Sequence, residues 1–534
     1  MARPVAPARL AAVAAPGKTI VETERKFDAS DGFALPDFTA LDGVHAAGPS
    51  VVHELRATYY DTADLRLASA GVALRRRTGG SDAGWHLKLA RTIDRRVEIQ
   101  LPLGRLAPLR RLPPAQLRAL VTAHTRGRRL RPTATLHTRR VAHQLLSADG
   151  APLVEIADDH VTARLLVSGW RRAAQPRRWR EIEAELVEGD TDVLDAVGDA
   201  LHAAGATLSA SGSKLHRALG SLVPARPPRV VDLGGDPTAS DFVLAHLGEQ
   251  ARELRALDPL VRRDVPDALH QYRVAVRRLR AALATFRRLF DRAATEPLRA
   301  ELWWLGRQMA PARDAEVVRE RLLELVDAEP GELVRGPVRR RIATTMSKRR
   351  RAGQDAAVRV LDSPRYLQLL DRLDGVVSGG ALRPERAQRG RKELRRALTE
   401  ATKRWRKRLD ALEQAMDGGA GERPAPELLD HRLHDVRKAA RRARYAAESV
   451  APVLGQPAEE LADAMHDAQD ILGGHQDATV AAQALSELAA HAAAAGEDTF
   501  TYGRLHASER AAGKQAAEEA MAVLRDLAKR TAHD

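Results

Sequence analysis

The sequence predicts an α+β protein of several domains, an antiparallel β half followed by an all-α half built from duplicated helical bundles. Three observations predict it. Charged and apolar residues alternate in short runs through the first two hundred residues. A Pro- and Gly-rich segment at 221–238 separates these runs from a long stretch in which apolar residues recur at three and four. Within that stretch a His-x-x-Arg-x-x-x-Arg-Arg-x-Arg pattern occurs twice, with His434 falling 164 residues after His270.

Composition bounds the partners. A chain of 534 residues with 44% hydrophobic content has material for two to four domains with real cores. A formal net charge of +15 implies an anionic partner, without deciding between nucleic acid, a membrane surface and a phosphate polymer. Aromatics at 4% weigh against base stacking. The absence of cysteine excludes disulfides, thiolate metal sites and cysteine nucleophiles. No run reaches the roughly 20 apolar residues of a membrane span, so the expectation is a cytoplasmic protein with no membrane partner. Residues 1–17 hold only a short Ala-rich run between Arg9 and Pro16 and read as a disordered tail rather than a signal peptide.

From 18 to 220 the alternating runs are separated by turn chemistry such as Asp31-Gly32, Gly79-Gly80 and Asp149-Gly150, with helices near 113–126 and 190–204. One strand face carries Glu22, Glu24 and Lys26, then Arg75 and Arg77, His86 and Lys88, Arg96 and Glu98, Glu155 and Asp159, and finally Glu181, Glu183 and Glu185. The other face carries Leu74, Leu87, Val97, Ile99, Ile156, Ile182 and Leu186. An open sheet with its polar face in water explains such alternation. A closed barrel with the charges inside explains a further regularity: acids cluster in the outer strands of the sequence and bases in the middle ones. A cavity lined in that way suits a divalent metal on one side and phosphate oxygens on the other, and hard oxygen donors favour Mg²⁺ or Mn²⁺.

The runs VETERKF, TYYDTADLRLASAGVALRRR, WHLKLA, RRVEIQ, VEIADDHV, REIEAELVEGD and SGSKLHRAL occur in the order of the motifs of the CYTH family, which 18–220 resembles. This family of triphosphate tunnel metalloenzymes includes inorganic triphosphatases, thiamine triphosphatases and one class of adenylyl cyclase. The resemblance implies an eight-stranded antiparallel tunnel. It implies that Glu22, Glu24, Asp159, Glu181, Glu183 and Glu185 hold one or two divalent ions, and that Lys26, Arg75, Arg77, Lys88, Arg96, Lys214 and Arg217 bind triphosphate. Glu24, Lys26, Arg75 and Arg77 form the expected catalytic set. Of Arg139 and Arg140 only one can face inward, and Arg139 is the expected one. Gln100 stands where many relatives keep a charge, and His86, beside Lys88, is either a ligand contact or, as is more usual for a histidine at a barrel rim, simply solvated.

The helical half, 239–534, divides into repeats at about 239–415 and 424–534; Asp477 lies 163 residues after Asp314 and supports the same period. His270, Arg273, Arg277, Arg280 and Arg287 fall along one side of a helix, and His434, Arg437, Arg441 and Arg444 repeat the stripe. Like charges at these spacings oppose helix formation, so an anion lying on them is one explanation; arginine stems covering apolar surface, or pairing with Asp314 and Asp477, is the other. This half resembles the CHAD family, conserved-histidine α-helical domains whose duplicated four-helix bundles bind inorganic polyphosphate. The positions matching that pattern are His270, Arg273, Arg277, Arg278, His434, Arg437, Lys438, Arg441, Arg442 and His475. A basic helix around Arg391, Arg395 and Lys403 either extends the surface or is simply solvated.

The two resemblances imply a metal-dependent hydrolase of inorganic triphosphate or polyphosphate, with the helical half binding polyphosphate. The competing readings are a non-catalytic polyphosphate binder, a tunnel enzyme acting on an organic triphosphate, and a nucleic-acid binder, which is disfavoured.

Overall fold

A computed structural model describes residues 18–90, 95–104, 112–166, 175–225, 230, 237–386, 390–417 and 426–530. The expected tail at 1–17 and most of the 221–238 segment lie outside these residues. The chain forms two units that part between Arg226 and Pro227.

In the first unit the alternating runs form ten strands: β1 Lys18–Ala29, β2 Ala46–Ala47, β3 Val51–Asp61, β4 Ala73–Thr78, β5 Gly84–Ala90, β6 Arg95–Pro102, β7 Arg131–Leu146, β8 Pro152–Leu165, β9 Arg177–Leu186 and β10 Thr207–Leu208. The helices are α1 Arg66–Ser69, α2 Ala115–Leu120, α3 Thr122–Thr125, α4 Thr191–Ala203 and α5 Lys214–Leu219. Antiparallel pairing runs β1–β6–β5–β4–β3–β7–β8–β9 and returns to β1, an eight-stranded circuit. Lys18–Thr23 of β1 pair with β6 and Glu24–Ala29 pair with β9. The circuit is therefore stepped at β1, and the sheet is not the sealed cylinder that a barrel in the strict sense requires. Gly79, between β4 and β5, has φ of 83°, and a Cβ there would sit 2.0 Å from the Glu54 carbonyl oxygen, so only glycine fits that turn.

Apolar residues on the outer strand faces pack under helices. Leu74, Leu87 and Ile99 meet Leu67 of α1 and Leu117 of α2, while Ile156, Ile182 and Ala184 meet Leu194, Val197 and Leu201 of α4. The inner face is divided along its length. Tyr59, Leu136 and Val161 cluster with Leu215 and Leu219, so α5 plugs an apolar end of the tunnel and leaves the charged remainder enclosed. Asp61 of the Tyr60-Asp61-Thr62 run serves the fold, since its carboxylate accepts from the backbone N–H groups of Thr62, Leu67 and Ala68 and so fastens α1 to β3.

The second unit contains α6 Ala239–Arg262, α7 Ala268–Thr285, α8 Arg292–Gln308, α9 Ala310–Ala328, α10 Val338–Leu361, α11 Pro364–Val377, α12 Arg391–Asp417, α13 Pro426–Leu454, α14 Gln456–Ala494 and α15 Phe500–Arg530. Trp405, Leu409, Val436, Met465, Leu472 and Leu524 join α12–α15 in one four-helix core. Helices α6, α7, α8 and α11 pack together, burying Phe242, Tyr272, Leu302 and Tyr366. The α9–α10 hairpin packs against the second half of α14 and the start of α15. The core thus assigns α12 to the second bundle, whereas the sequence repeat drew its edge at about 415. The reason is that Trp405 and Leu409 complete an apolar face that α13–α15 leave open.

Candidate active site and arginine seam

Strand pairing brings distant carboxylates and cations together in the tunnel. Asp159 on β8 lies opposite Glu181 on β9 and Arg140 on β7, and Lys26 on β1 lies opposite Glu183 on β9. Arg140 donates to both oxygens of Asp159, at 2.8 and 2.7 Å, and to Glu183 at 2.6 Å. Lys26 pairs with Glu183 and lies 2.9 Å from Glu24. Ser213 caps α5 and so aims Lys214 into the acids: its Nζ is 2.8 Å from Asp159 and 2.7 Å from both Glu181 and Glu183. Arg217, one turn on, pairs with Asp28, lies 3.7 Å from Glu181 and stacks over Trp179.

Buried carboxylates ordinarily resist ionisation, so this cluster persists as charges only because the opposing charges are in place. Burial pushes Asp159 and Glu183 up, but Lys214 and Arg140, joined by Lys26 at Glu183, override it and hold both below the ordinary carboxylate range. Lys214 is desolvated too, yet its three carboxylate neighbours hold it well above its ordinary value. Glu185 behaves differently: burial raises it, with Glu183, Glu24 and Glu155 adding to the effect against Lys88.

The opposite wall is basic. Arg75 donates from Nη1 to the Tyr59 hydroxyl at 3.4 Å, Arg77 pairs with Asp82, and Lys88 lies 2.8 Å from Glu98. Burial above all, and then Arg75 and Arg140, pull Arg77 down to about 9 against the opposing charge of Glu98.

Most predicted tunnel residues converge here. Three need a different account. Arg139 is exposed on β7 and Arg140 enters the tunnel, because Arg140 faces Asp159 in the β7–β8 register. His86 is fully buried rather than solvated: Nδ1 bonds Glu98, Nε2 lies 2.9 Å from the Asp82 carbonyl, and burial lowers its pKa to about 4 against the opposing pull of Glu98. Glu98, which lies on the charged face but outside the expected site, is buried between His86 and Lys88. Glu22 and Arg96 pair in the β1–β6 ladder, and their side chains lie outside the described residues.

Asp159, Glu181 and Glu183 each offer an oxygen within 4.8 Å of the others, a span one divalent cation bridges at metal–oxygen distances of about 2.0–2.6 Å. The all-oxygen donor set fits Mg²⁺ or Mn²⁺, and the ammonium of Lys214 at the same three carboxylates shows the demand for positive charge. Glu24 and Glu185 face each other across the β1–β9 ladder, and Lys26 links Glu24 to Glu183.

In the helical unit α7 packs on α13, and the two arginine stripes meet along the seam. Arg277 reaches the Tyr445 hydroxyl at 3.4 Å. Burial and the guanidiniums of Arg277, Arg437 and Arg442 pull Arg441 down to about 10. Arg273 spends part of its charge on Asp314 at 2.9 Å, and Arg437 donates to the Gln469 carbonyl at 3.5 Å. His434 meets Gln476 at 2.7 Å beside Lys438, Arg437 and Arg441, while His270 lies near Arg313, Arg277 and Arg273. Arg278 pairs with Glu448, Lys438 lies 3.8 Å from Asp435, and Arg442 is exposed. His475 does not join the seam. It is buried between the Gly513 carbonyl at 2.9 Å and Asp430 at 3.1 Å, where it ties α14 to α15 and α13.

The CYTH domain family matches residues 21–219 and the CHAD domain family matches 245–486. An uncharacterized protein of Mycobacterium tuberculosis (strain CDC 1551 / Oshkosh), MT2285, is 36% identical over 521 residues, which cover 95% of this chain and 96% of that protein. Among solved structures, PptA from Streptomyces chartreusis is 25% identical, covering 56% of this chain and 100% of that one, with a TM-score of 0.44. The CHAD domain from the plant Ricinus communis is 27% identical, covering 54% and 93%, with a TM-score of 0.42. The chain belongs to the family that joins an N-terminal CYTH domain, the triphosphate tunnel, to a C-terminal CHAD domain.

Proposed function

We propose that this protein is a divalent-metal-dependent hydrolase of inorganic triphosphate or polyphosphate whose helical unit binds polyphosphate. The observation that carries the reading is the meeting of Asp159, Glu181 and Glu183 with Lys26, Arg140 and Lys214 inside the tunnel, facing the wall of Arg75, Arg77 and Lys88. A CYTH domain acts on triphosphates with a metal, and this donor set fits one.

Asp159, Glu181 and Glu183 would hold the ion, Mg²⁺ or Mn²⁺, which supplies charge neutralisation and substrate orientation when bound. The protein's own groups do the rest. Lys26, Arg75, Arg77, Lys88, Arg140, Lys214 and Arg217 line the phosphate path and balance the oxygens of a chain that enters with several negative charges. Water attacks the terminal phosphorus, the phosphoanhydride P–O bond breaks with its electron pair leaving on the shortened chain, and the water's proton is released. The apolar plug of α5 closes one end of the path, so the chain's terminus meets Lys214 and Arg217 there. The cytoplasm, including polyphosphate granules, is the compartment this reading implies; no described helix is long and apolar enough to cross a membrane.

The test is phosphate release from tripolyphosphate by the purified chain, compared with long polyphosphate, ATP and thiamine triphosphate. Release is expected only with Mg²⁺ or Mn²⁺, and Glu24→Gln or Lys26→Ala is expected to abolish it with the fold retained. Turnover that survives both substitutions ends the tunnel mechanism.

A further inference from the structure

The two repeats of the helical unit do not treat their arginines alike. Glu448 on α13 accepts from Arg278 at 3.1 Å and from Arg444 at 2.6 Å, so one carboxylate joins an arginine from each repeat. The residue 164 positions earlier, on α7, is Ala284. The same duplication relates Arg444 to Arg280 and Arg278 to Arg442. Among the described residues neither Arg280 nor Arg442 has a carboxylate within ion-pairing distance.

The surroundings sharpen the imbalance. Burial lowers Arg280, and Arg442 and Arg299 of α8 lower it further; burial likewise lowers Arg404 of α12, beside Arg287, Arg442 and Arg299. The acids that answer are already engaged. Glu400 lies 3.0 Å from Arg288, 3.3 Å from Arg404, 3.5 Å from Arg396 and 3.9 Å from Arg287, and Glu296 is bound to Arg299. Like-charged guanidiniums brought together by packing from α7, α8, α12 and α13 call for an anion from outside.

Resting on the polyphosphate reading above, we propose that the Ala284 position is an asymmetric anion site, where a phosphoryl group sits between Arg280 and Arg442 as the Glu448 carboxylate sits between Arg444 and Arg278. One repeat supplies its own anion, and the other takes a phosphoryl group of the ligand. A polyphosphate chain lying on the seam is therefore gripped more tightly at the Arg280/Arg442 side.

Binding of long-chain polyphosphate to the full chain, measured by titration calorimetry at fixed salt, tests this. Ala284→Glu installs the missing carboxylate four residues from Arg280 and is expected to weaken binding by about tenfold. Arg442→Gln, at an exposed position that tolerates the change, is expected to weaken it similarly, with circular dichroism confirming the fold of both variants. Combining Ala284→Glu with Glu448→Ala moves the carboxylate-free position to the other repeat and is expected to recover binding. Wild-type affinity in either Ala284→Glu or Arg442→Gln overturns the asymmetric site while leaving the polyphosphate reading intact. Failure of the unaltered chain to bind polyphosphate overturns both.

Discussion

Arg140 grips Asp159 in a two-pronged ion pair across the β7–β8 ladder, with Nε 2.8 Å from one carboxylate oxygen and Nη2 2.7 Å from the other. That pair settles which of two neighbouring arginines serves the tunnel. Asp159 is fully buried, so its charge depends on Arg140 and Lys214.

Arg140→Ala is accordingly expected to cost about 3–5 kcal/mol, the usual result of leaving a buried charge without one partner. Arg139→Ala, at an exposed position, is expected to stay within about 0.5 kcal/mol. Urea unfolding of the two variants checks the contrast, and equal effects would refute the assignment.

Lys214 competes with any cation for Asp159, Glu181 and Glu183. Lys214→Met is expected to tighten Mn²⁺ binding by about tenfold in calorimetry while weakening tripolyphosphate binding. Its melting temperature is expected to become strongly dependent on Mn²⁺, since a ligand of the folded state alone stabilises it by mass action. Unchanged Mn²⁺ affinity would show that the ammonium and the ion use different places.

Acid is expected to loosen the tunnel. Asp159 and Glu183 are held below their unfolded values, against burial, by Lys214 and Arg140, with Lys26 adding to the effect at Glu183. Depressed carboxylates contribute stability that is complete above the unfolded pKa, about 4, and is lost as pH falls through it toward the folded value. Denaturant midpoints measured from about pH 7 to about pH 2.5 check the direction. The slope is expected to shrink in Lys214→Met, where the same acids titrate closer to their ordinary range.

Replacing His434, Arg437 and Arg441 together with alanine is expected to weaken retention on immobilised long-chain polyphosphate and to reduce its salt dependence, because three seam groups no longer face the ligand. Retention equal to that of the unaltered chain would move the polyanion site away from the α7–α13 seam.

Much of this architecture is legible in the chain. Alternation at Glu181, Glu183 and Glu185 against Ile182, Ala184 and Leu186 requires two unlike faces, and burial under α4 takes the apolar one. The duplicated His270 and His434 stripes announce two related helices. Alternation alone does not choose between Arg139 and Arg140, because adjacent residues fall on opposite faces and only the partner strand's register says which face is enclosed. His475, expected at the polyanion surface from the family resemblance, instead has its ring held between the Gly513 carbonyl and Asp430 as a helix–helix clasp.

The order of side chains by itself determined which residues share a strand face, where strands give way to helices and which helices are copies of one another, since backbone periodicity and duplication are properties of the one-dimensional chain. Only the tertiary structure decided that Lys214 meets three acids from two other elements, that α12 belongs with α13–α15, and that Glu448 joins Arg444 to Arg278 of the other repeat. Those relationships join residues far apart in the chain, and their energies depend on burial and distance, which arise only when the elements pack.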